Sequence, residues 1–206
     1  MDEKEEKTIK RKKFNVVALG EVNVGKSSII SRLIGGNFKK DTLPTIGLDC
    51  YETKKKFDGK EYIFKIIDTA GQERFKSITE KIIKKADGFF ILFAVDNPNS
   101  FQKVKCWINT IAEQTDLTNK PLILVGNKID LIPREVSNEQ GVKFAKEKKI
   151  KYYEVSAKTG FFVKEIFDVL FGDIYNLKKE EDVDDHFLLR KITKEKTKKK
   201  KKFCSS

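Results

Sequence analysis

Gly20-Glu21-Val22-Asn23-Val24-Gly25-Lys26-Ser27 is a complete G-x-x-x-x-G-K-[ST] run, and no other stretch limits the possible folds as tightly. The apolar residues 14–19 precede it and read as a buried strand; residues 28–34 follow and read as a helix that Gly35-Gly36 ends. Between strand and helix the backbone N–H groups form a concave nest, and the helix start adds partial positive charge, so polyphosphate is held mainly by main chain. The loop contacts would come from Gly20, Asn23, Val24, Gly25 and Ser28, with Lys26 reaching the β- and γ-phosphates and the Ser27 hydroxyl a ligand of Mg²⁺. Taken alone, the loop says nucleoside triphosphate without saying which.

The rest of the chain alternates strand-like and helix-like stretches. Residues 48–57 and 61–67 flank Asp58-Gly59, a two-residue hairpin signal. Residues 89–95 and 121–126 are continuous apolar runs, as strands buried on both faces of a parallel sheet should be. Residues 100–113 and 137–149 read as amphipathic helices with Ser100 and Ser137 as N-caps. A short strand at 151–155 leads to a last helix over about 162–175, anchored by Phe161 and Phe162. The pattern predicts a three-layer α/β sandwich whose sheet is mostly parallel, with one antiparallel hairpin strand.

A chain of 206 residues supports one sizeable core with tails. The expected division is a charged extension at 1–13, a nucleotide-binding domain at 14–177 and a variable basic tail at 178–206. The net charge of +12 is uneven. Residues 190–204 hold nine Lys or Arg against one Glu, so the excess reads as an address or anchor, with no nucleic acid expected. Cys50, Cys106 and Cys204 are scattered and odd in number, which argues against a disulfide framework or zinc site and for a reducing compartment. No apolar signal core and no run of about 18 to 20 apolar residues is present, so the expected location is the cytosolic side.

In such a sheet ligands bind at the carboxyl ends of the strands, where the other informative motifs fall. Asp68-Thr69-Ala70-Gly71-Gln72-Glu73 ends a strand with a carboxylate and a glycine. Asp68 can hold Mg²⁺, the Gly71 amide can donate to a γ-phosphate, and Gln72 can orient an attacking water. Asn127-Lys128-Ile129-Asp130 follows another strand. The Asp130 carboxylate matches the adjacent N1–H and N2–H₂ donors of guanine, a pair adenine lacks. Lys128 can lay its stem over the base, Asn127 can tie back to the phosphate loop, and in Ser156-Ala157-Lys158 the Ala157 amide can donate to guanine O6. Each piece alone is an ordinary polar turn; their order at successive strand ends is what counts.

These motifs resemble the nucleotide-binding motifs of the Ras superfamily of small GTPases over residues 14–175. The resemblance implies the three-layer P-loop NTPase fold with a six-stranded sheet, GTP/GDP and Mg²⁺ as ligands, Phe38 edge-on against guanine, and Thr45 in Pro44-Thr45-Ile46-Gly47 meeting Mg²⁺ and the γ-phosphate. It implies Gln72, Lys26 and Thr45 as the catalytic set and Ser27, Thr45 and Asp68 as the metal set.

Within the superfamily, Ile46-Gly47-Leu48-Asp49, Asp68 through Phe75, and Lys76-Ser77-Ile78-Thr79 resemble Rab proteins. That implies vesicle traffic, a monomer at the cytosolic face of endomembranes, and an exchange factor, a GTPase-activating protein, a dissociation inhibitor and effectors as partners. Three departures stand out. The positions where Rabs carry effector-facing aromatics correspond to Cys50, Ile67 and Ile82. Val22 replaces a small residue beside the γ-phosphate, which predicts slow hydrolysis and a hindered arginine finger, and leaves a GTP-bound scaffold as the alternative function. The ending Phe203-Cys204-Ser205-Ser206 lacks a C-a-a-X box, and the Rab resemblance implies geranylgeranylation of Cys204 with Lys198 to Lys202 as the second membrane signal.

Overall fold

The structure, a computed structural model, describes residues 12–38, 45, 47–69 and 76–180, the side chains of 76–79 excepted. Ala70, Gly71, Gln72, the basic tail beyond residue 180 with Cys204, and residues 1–11 lie outside the described residues.

Six strands form one sheet: β1 (Lys13–Gly20), β2 (Leu48–Phe57), β3 (Lys60–Thr69), β4 (Gly88–Ala94), β5 (Leu122–Asn127) and β6 (Lys151–Glu154). Their order is β2-β3-β1-β4-β5-β6, with β2 antiparallel to β3 and every other pair parallel. The helices are α1 (Lys26–Leu33), α2 (Lys76–Lys85), α3 (Pro98–Gln102), α4 (Val104–Gln114), α5 (Asn138–Lys148) and α6, over 163–180.

Alternation of side chains along the strands builds the three layers. On β1, Phe14, Val16 and Ala18 face a core shared with Ile29 and Ile30 of α1 and with Ile166, Phe167 and Phe171 of α6. Val17 and Leu19 face the opposite core, with Ile83 of α2, Val104 and Ile111 of α4, and Ala145 of α5. Strand β4 is buried at all seven positions for the same reason, so its run reads as unbroken hydrophobicity. Asp58 and Gly59 both take positive φ, 47° and 74°, in the hairpin turn, with Phe57 paired to Lys60.

Helix α5 starts at Ser137, whose hydroxyl accepts from the Gln140 amide while the Gln140 side chain accepts from the Ser137 amide, a complete capping box. The helix expected over 100–113 is instead two segments meeting at Lys103, and Ser100 is not its cap. Asn97 is: its side chain accepts from the Ser100 amide at 3.1 Å, and Pro98 pre-sets the first turn. The Ser100 hydroxyl is buried one turn in, donating to the Asn97 carbonyl at 2.7 Å. Phe161 is 58% exposed, so of the two expected anchors only Phe162 packs on the core.

Strand order reverses at β1: the chain goes to β3 and β2 on one side and to β4, β5 and β6 on the other. The carboxyl ends around β1 therefore open a crevice, the place where a doubly wound sheet binds ligands. The phosphate-loop sequence leaves β1 at that point.

Candidate functional site: a phosphate loop beside two clamped loops

Two glycines make the loop possible. Gly20 has φ 142°, and a Cβ on it would collide with the Leu92 carbonyl oxygen of β4. Gly25 has φ 95°, and a Cβ there would overlap the side-chain amide of Asn127. Gly25 is also the N-cap of α1, which has no side-chain cap and no acidic residue in its first turn. That helix start thus presents unsatisfied N–H groups and positive potential, the chemistry an oxyanion needs.

Lys26 is buried, and its ammonium donates to the carbonyls of Gly20 at 2.8 Å and Glu21 at 2.9 Å. Burial pushes its pKa down to about 8, against the opposing pull of Asp68 and Glu21. Val24 is fully buried in the α1 core, Asn23 is exposed with φ 62°, and Val22 and Ser28 are half-buried.

The three expected metal ligands are brought together. The Ser27 hydroxyl donates to the Asp68 carboxylate and lies 3.0 Å from the Thr45 hydroxyl. Asp68 has no exposure, its other oxygen has no hydrogen-bond partner, and burial raises its pKa despite the Ser27 bond and the nearby Lys26. An orphaned carboxylate oxygen beside two hydroxyls fits a hard, oxygen-seeking cation such as Mg²⁺. Among the described residues no group of three or more His, Cys, Asp or Glu could hold a metal ion.

At the other end of the crevice, Asn127 joins three segments. Its amide donates to the Val24 carbonyl at 2.8 Å, and its oxygen accepts the Ala157 N–H at 3.1 Å. The Ala157 amide, expected to face guanine, is used here to fasten its own loop to β5. Asp130 has one oxygen 2.5 Å from the Ser156 hydroxyl and the other 3.7 Å from the Lys158 ammonium, which together fix the carboxylate's direction. Lys128 takes φ 71° and pairs with Asp96 at 3.3 Å. Phe38 is half-buried against the α1–α6 core.

Two residues that sequence reasoning missed complete the frame. Arg32, near the end of α1, donates to the carbonyls of Ala157 at 2.9 Å and Lys158 at 2.6 Å, so the helix bearing Lys26 and Ser27 grips the 156–158 loop. Trp107 of α4, with its indole N–H 3.2 Å from the Glu21 carboxylate, steadies the phosphate loop from outside. A basic residue in a helix's last turn was the only sequence signal for Arg32, and it reads equally as dipole compensation. Trp107 gave no signal beyond an apolar helix face, and its neighbour Cys106 proves exposed.

Behind the base-end loops, Arg134 makes a bidentate pair with Glu154, and the Tyr152 hydroxyl donates to Glu154 at 2.6 Å. On the opposite edge, Cys50 and Ile67 face one another in the β2–β3 ladder, Cys50 exposed and Ile67 buried.

A model of the Ras family matches residues 15–176 of the chain. Among characterised proteins, the Ras-related protein RabC of Dictyostelium discoideum is 38% identical over 164 residues, which cover 78% of this chain and 83% of RabC.

Proposed function

Since the chain belongs to the Ras family and is a Rab-like small GTPase, we propose that it binds GTP and GDP, hydrolyses GTP, and uses the two states to direct vesicle-mediated membrane traffic. The observation that carries this reading is the pair of hydrogen bonds made by the Asn127 side chain, donated to the Val24 carbonyl and accepted from the Ala157 amide, which ties the phosphate loop to the loops at the base end.

The nucleotide phosphates would sit over the α1 N-terminus, where Lys26 exchanges its two carbonyl partners for phosphate oxygens. Gly20, Asn23, Val24, Gly25 and Ser28 would line that cradle. Asp130 would accept both guanine donors, held in line by Ser156 and Lys158, with Lys128 and Phe38 packing on the base. Ser27, Thr45 and Asp68 would hold Mg²⁺, which when bound neutralises charge shared between the β- and γ-phosphates. Gln72 would orient a water whose oxygen attacks the γ-phosphorus as the bond to the β-phosphate oxygen breaks, leaving GDP and phosphate. Thr45 and the Gly71 amide would lose their partner with the γ-phosphate, and the segments around them would switch. The exchange factor, activating protein, dissociation inhibitor and effectors would read that difference.

The division into an extension at 1–13, a nucleotide domain at 14–177 and a tail at 178–206 accompanies this reading, with Cys204 prenylated and Lys198 to Lys202 against an anionic leaflet. A peripheral attachment accords with the absence, among the described residues, of any helix long and apolar enough to cross a membrane. Intact-mass analysis of protein from its native cell tests the lipid: an unmodified Cys204 removes it.

For the enzyme, the test is to identify the nucleotide released from purified protein and then follow single-turnover GTP hydrolysis. Hydrolysis that Gln72→Leu abolishes supports the switch; a bound adenine nucleotide ends the reading. Val22 favours a second reading, a long-lived GTP-bound scaffold, because its branched side chain stands half-buried in the phosphate loop. Tight GTP binding without turnover selects it.

A further inference from the structure

The amino end of the sheet carries a second concave site. Lys12 and Phe14 at the start of β1, Asp58 and Lys60 at the hairpin turn, Tyr62 of β3, and Tyr175, Lys178 and Lys179 of α6 line a cavity of about 280 Å³. Four lysines and one aspartate give it a surplus of three positive charges, contributed by three separate parts of the chain. Its floor is aromatic: Phe14 stacks on Tyr62 with centroids 5.8 Å apart, and Tyr62 meets Tyr175 edge-on at 5.2 Å. The Lys12 ammonium lies 6.0 Å from the Phe14 ring and that of Lys179 5.8 Å from the Tyr175 ring, so the rings back two of the cations while leaving them exposed to a ligand.

The cavity is remote from the nucleotide. Lys12 immediately precedes β1, Phe14 lies near its start and Gly20 ends it; Phe14 and Gly20 are roughly 20 Å apart at 3.3 Å per strand residue. A ligand at one end would leave the other free. The last turn of α6 forms one wall; the sequence then passes through five carboxylates at 180–185 before the 190–204 segment with its nine basic residues.

We infer that this lysine-lined cavity binds the phosphomonoester headgroup of an anionic membrane lipid, a polyphosphoinositide, and so sets the catalytic domain against the bilayer amino end first. A phosphomonoester suits the site because it carries close to two negative charges and three acceptor oxygens, enough for ammonium groups arriving from separate elements. A singly charged serine headgroup has no need of a cavity. The bilayer is the source, in preference to an acidic protein, because the chain that continues from this wall carries, beyond the acidic residues 180–185, nine basic residues at 190–204 as a second signal for an anionic surface.

Asp58 is the built-in competitor. Its carboxylate accepts from the Tyr175 hydroxyl at 2.9 Å and from the Lys179 ammonium at 2.5 Å, so an entering phosphate must draw Lys179 away from it. Removing that charge should therefore strengthen binding. Asn is well suited to the position, since Asp58 occupies the first place of a turn with positive φ, where Asn-Gly is a preferred pair.

The test uses the full, unlipidated chain loaded with GDP, with Lys198 to Lys202 changed to Gln so that the tail does not mask the domain. Sedimentation is measured with phosphatidylcholine vesicles containing phosphatidylinositol bisphosphate, and with phosphatidylserine vesicles of matched surface charge. The expected result is a preference of at least about five-fold for the phosphoinositide, a loss of about five-fold or more in Lys60→Glu, and a gain of about five-fold in Asp58→Asn. Equal binding to the two vesicles overturns the inference, as does indifference to both substitutions in folded protein, checked by thermal unfolding. Binding of soluble inositol trisphosphate without binding to vesicles overturns the bilayer as the source. None of these readings depends on GTP hydrolysis, so the inference and the switch proposal can fail separately.

Discussion

The side-chain amide of Asn127 occupies the space that any side chain on Gly25 would need, and from there it donates to the Val24 carbonyl at 2.8 Å. Two residues 102 positions apart are thereby interdependent: the glycine lets the amide in, and the amide fixes the loop around the glycine. Replacing Asn127 with Ala leaves the buried Val24 carbonyl and Ala157 amide without partners, at a cost of about 1 to 3 kcal/mol in stability. Thermal unfolding and the rate of GDP release should both report it, release accelerating by about ten-fold or more. An unchanged release rate would separate the clamp from nucleotide retention.

Gly20→Ala and Gly59→Ala form a matched pair. Both glycines have positive φ, but a Cβ at Gly20 meets the Leu92 carbonyl and one at Gly59 meets nothing. Gly59→Ala should lose about 1 kcal/mol to backbone strain alone, and Gly20→Ala distinctly more because β1 and β4 must also separate. Denaturant midpoints measure the difference; equal losses would count against the packing argument.

Asp130→Asn should change base preference. The amide offers one donor and one acceptor where the carboxylate offers two acceptors, which fits xanthine, whose C2 carbonyl replaces the guanine amino group. The expected outcome is guanine affinity lowered by about 100-fold or more and xanthine nucleotide favoured, read by competition for a fluorescent nucleotide. Retained guanine preference would remove Asp130 from its assigned role.

Val22→Gly should raise single-turnover GTP hydrolysis by about ten-fold if the branched side chain obstructs the γ-phosphate, with GDP affinity little altered. The same rate in both proteins would discard Val22 as the cause of slow turnover.

Burial pushes the Glu154 carboxyl up, but hydrogen bonds from Arg134, Tyr152 and Asn138 outweigh it and hold the group below the usual carboxylate range. A depressed folded-state pKa contributes stability above the unfolded-state value, and that contribution is lost as pH falls through the folded one. Wild-type protein should therefore lose more stability between pH 6 and about pH 3 than Arg134→Gln does, measured by thermal unfolding across that range. Parallel curves would show that Arg134 does not act through Glu154.

The order of motifs along the chain was enough to specify the layers and the strand ends at which the candidate residues fall. Strand faces buried on both sides leave continuous apolar runs, as in Phe89 to Ala94, and a two-residue turn with positive φ at both positions leaves Asp58-Gly59; these are local chemistry, so the residues themselves carry the information. The same holds for Gly20 and Gly25, whose conformations few other residues adopt. Caps were legible where the side chain acts on its own turn, as at Ser137, and were misread at Ser100 because Asn97-Pro98 captured the helix start three residues earlier. What required the tertiary structure was every bond between distant segments: Arg32 to Ala157, Trp107 to Glu21, Asn127 to Val24, and the meeting of Lys12, Lys60 and Lys179 around one cavity. Those contacts depend on the β2-β3-β1-β4-β5-β6 order, which brings strand ends together across more than a hundred residues, and no spacing in the sequence encodes which long side chain will span the gap.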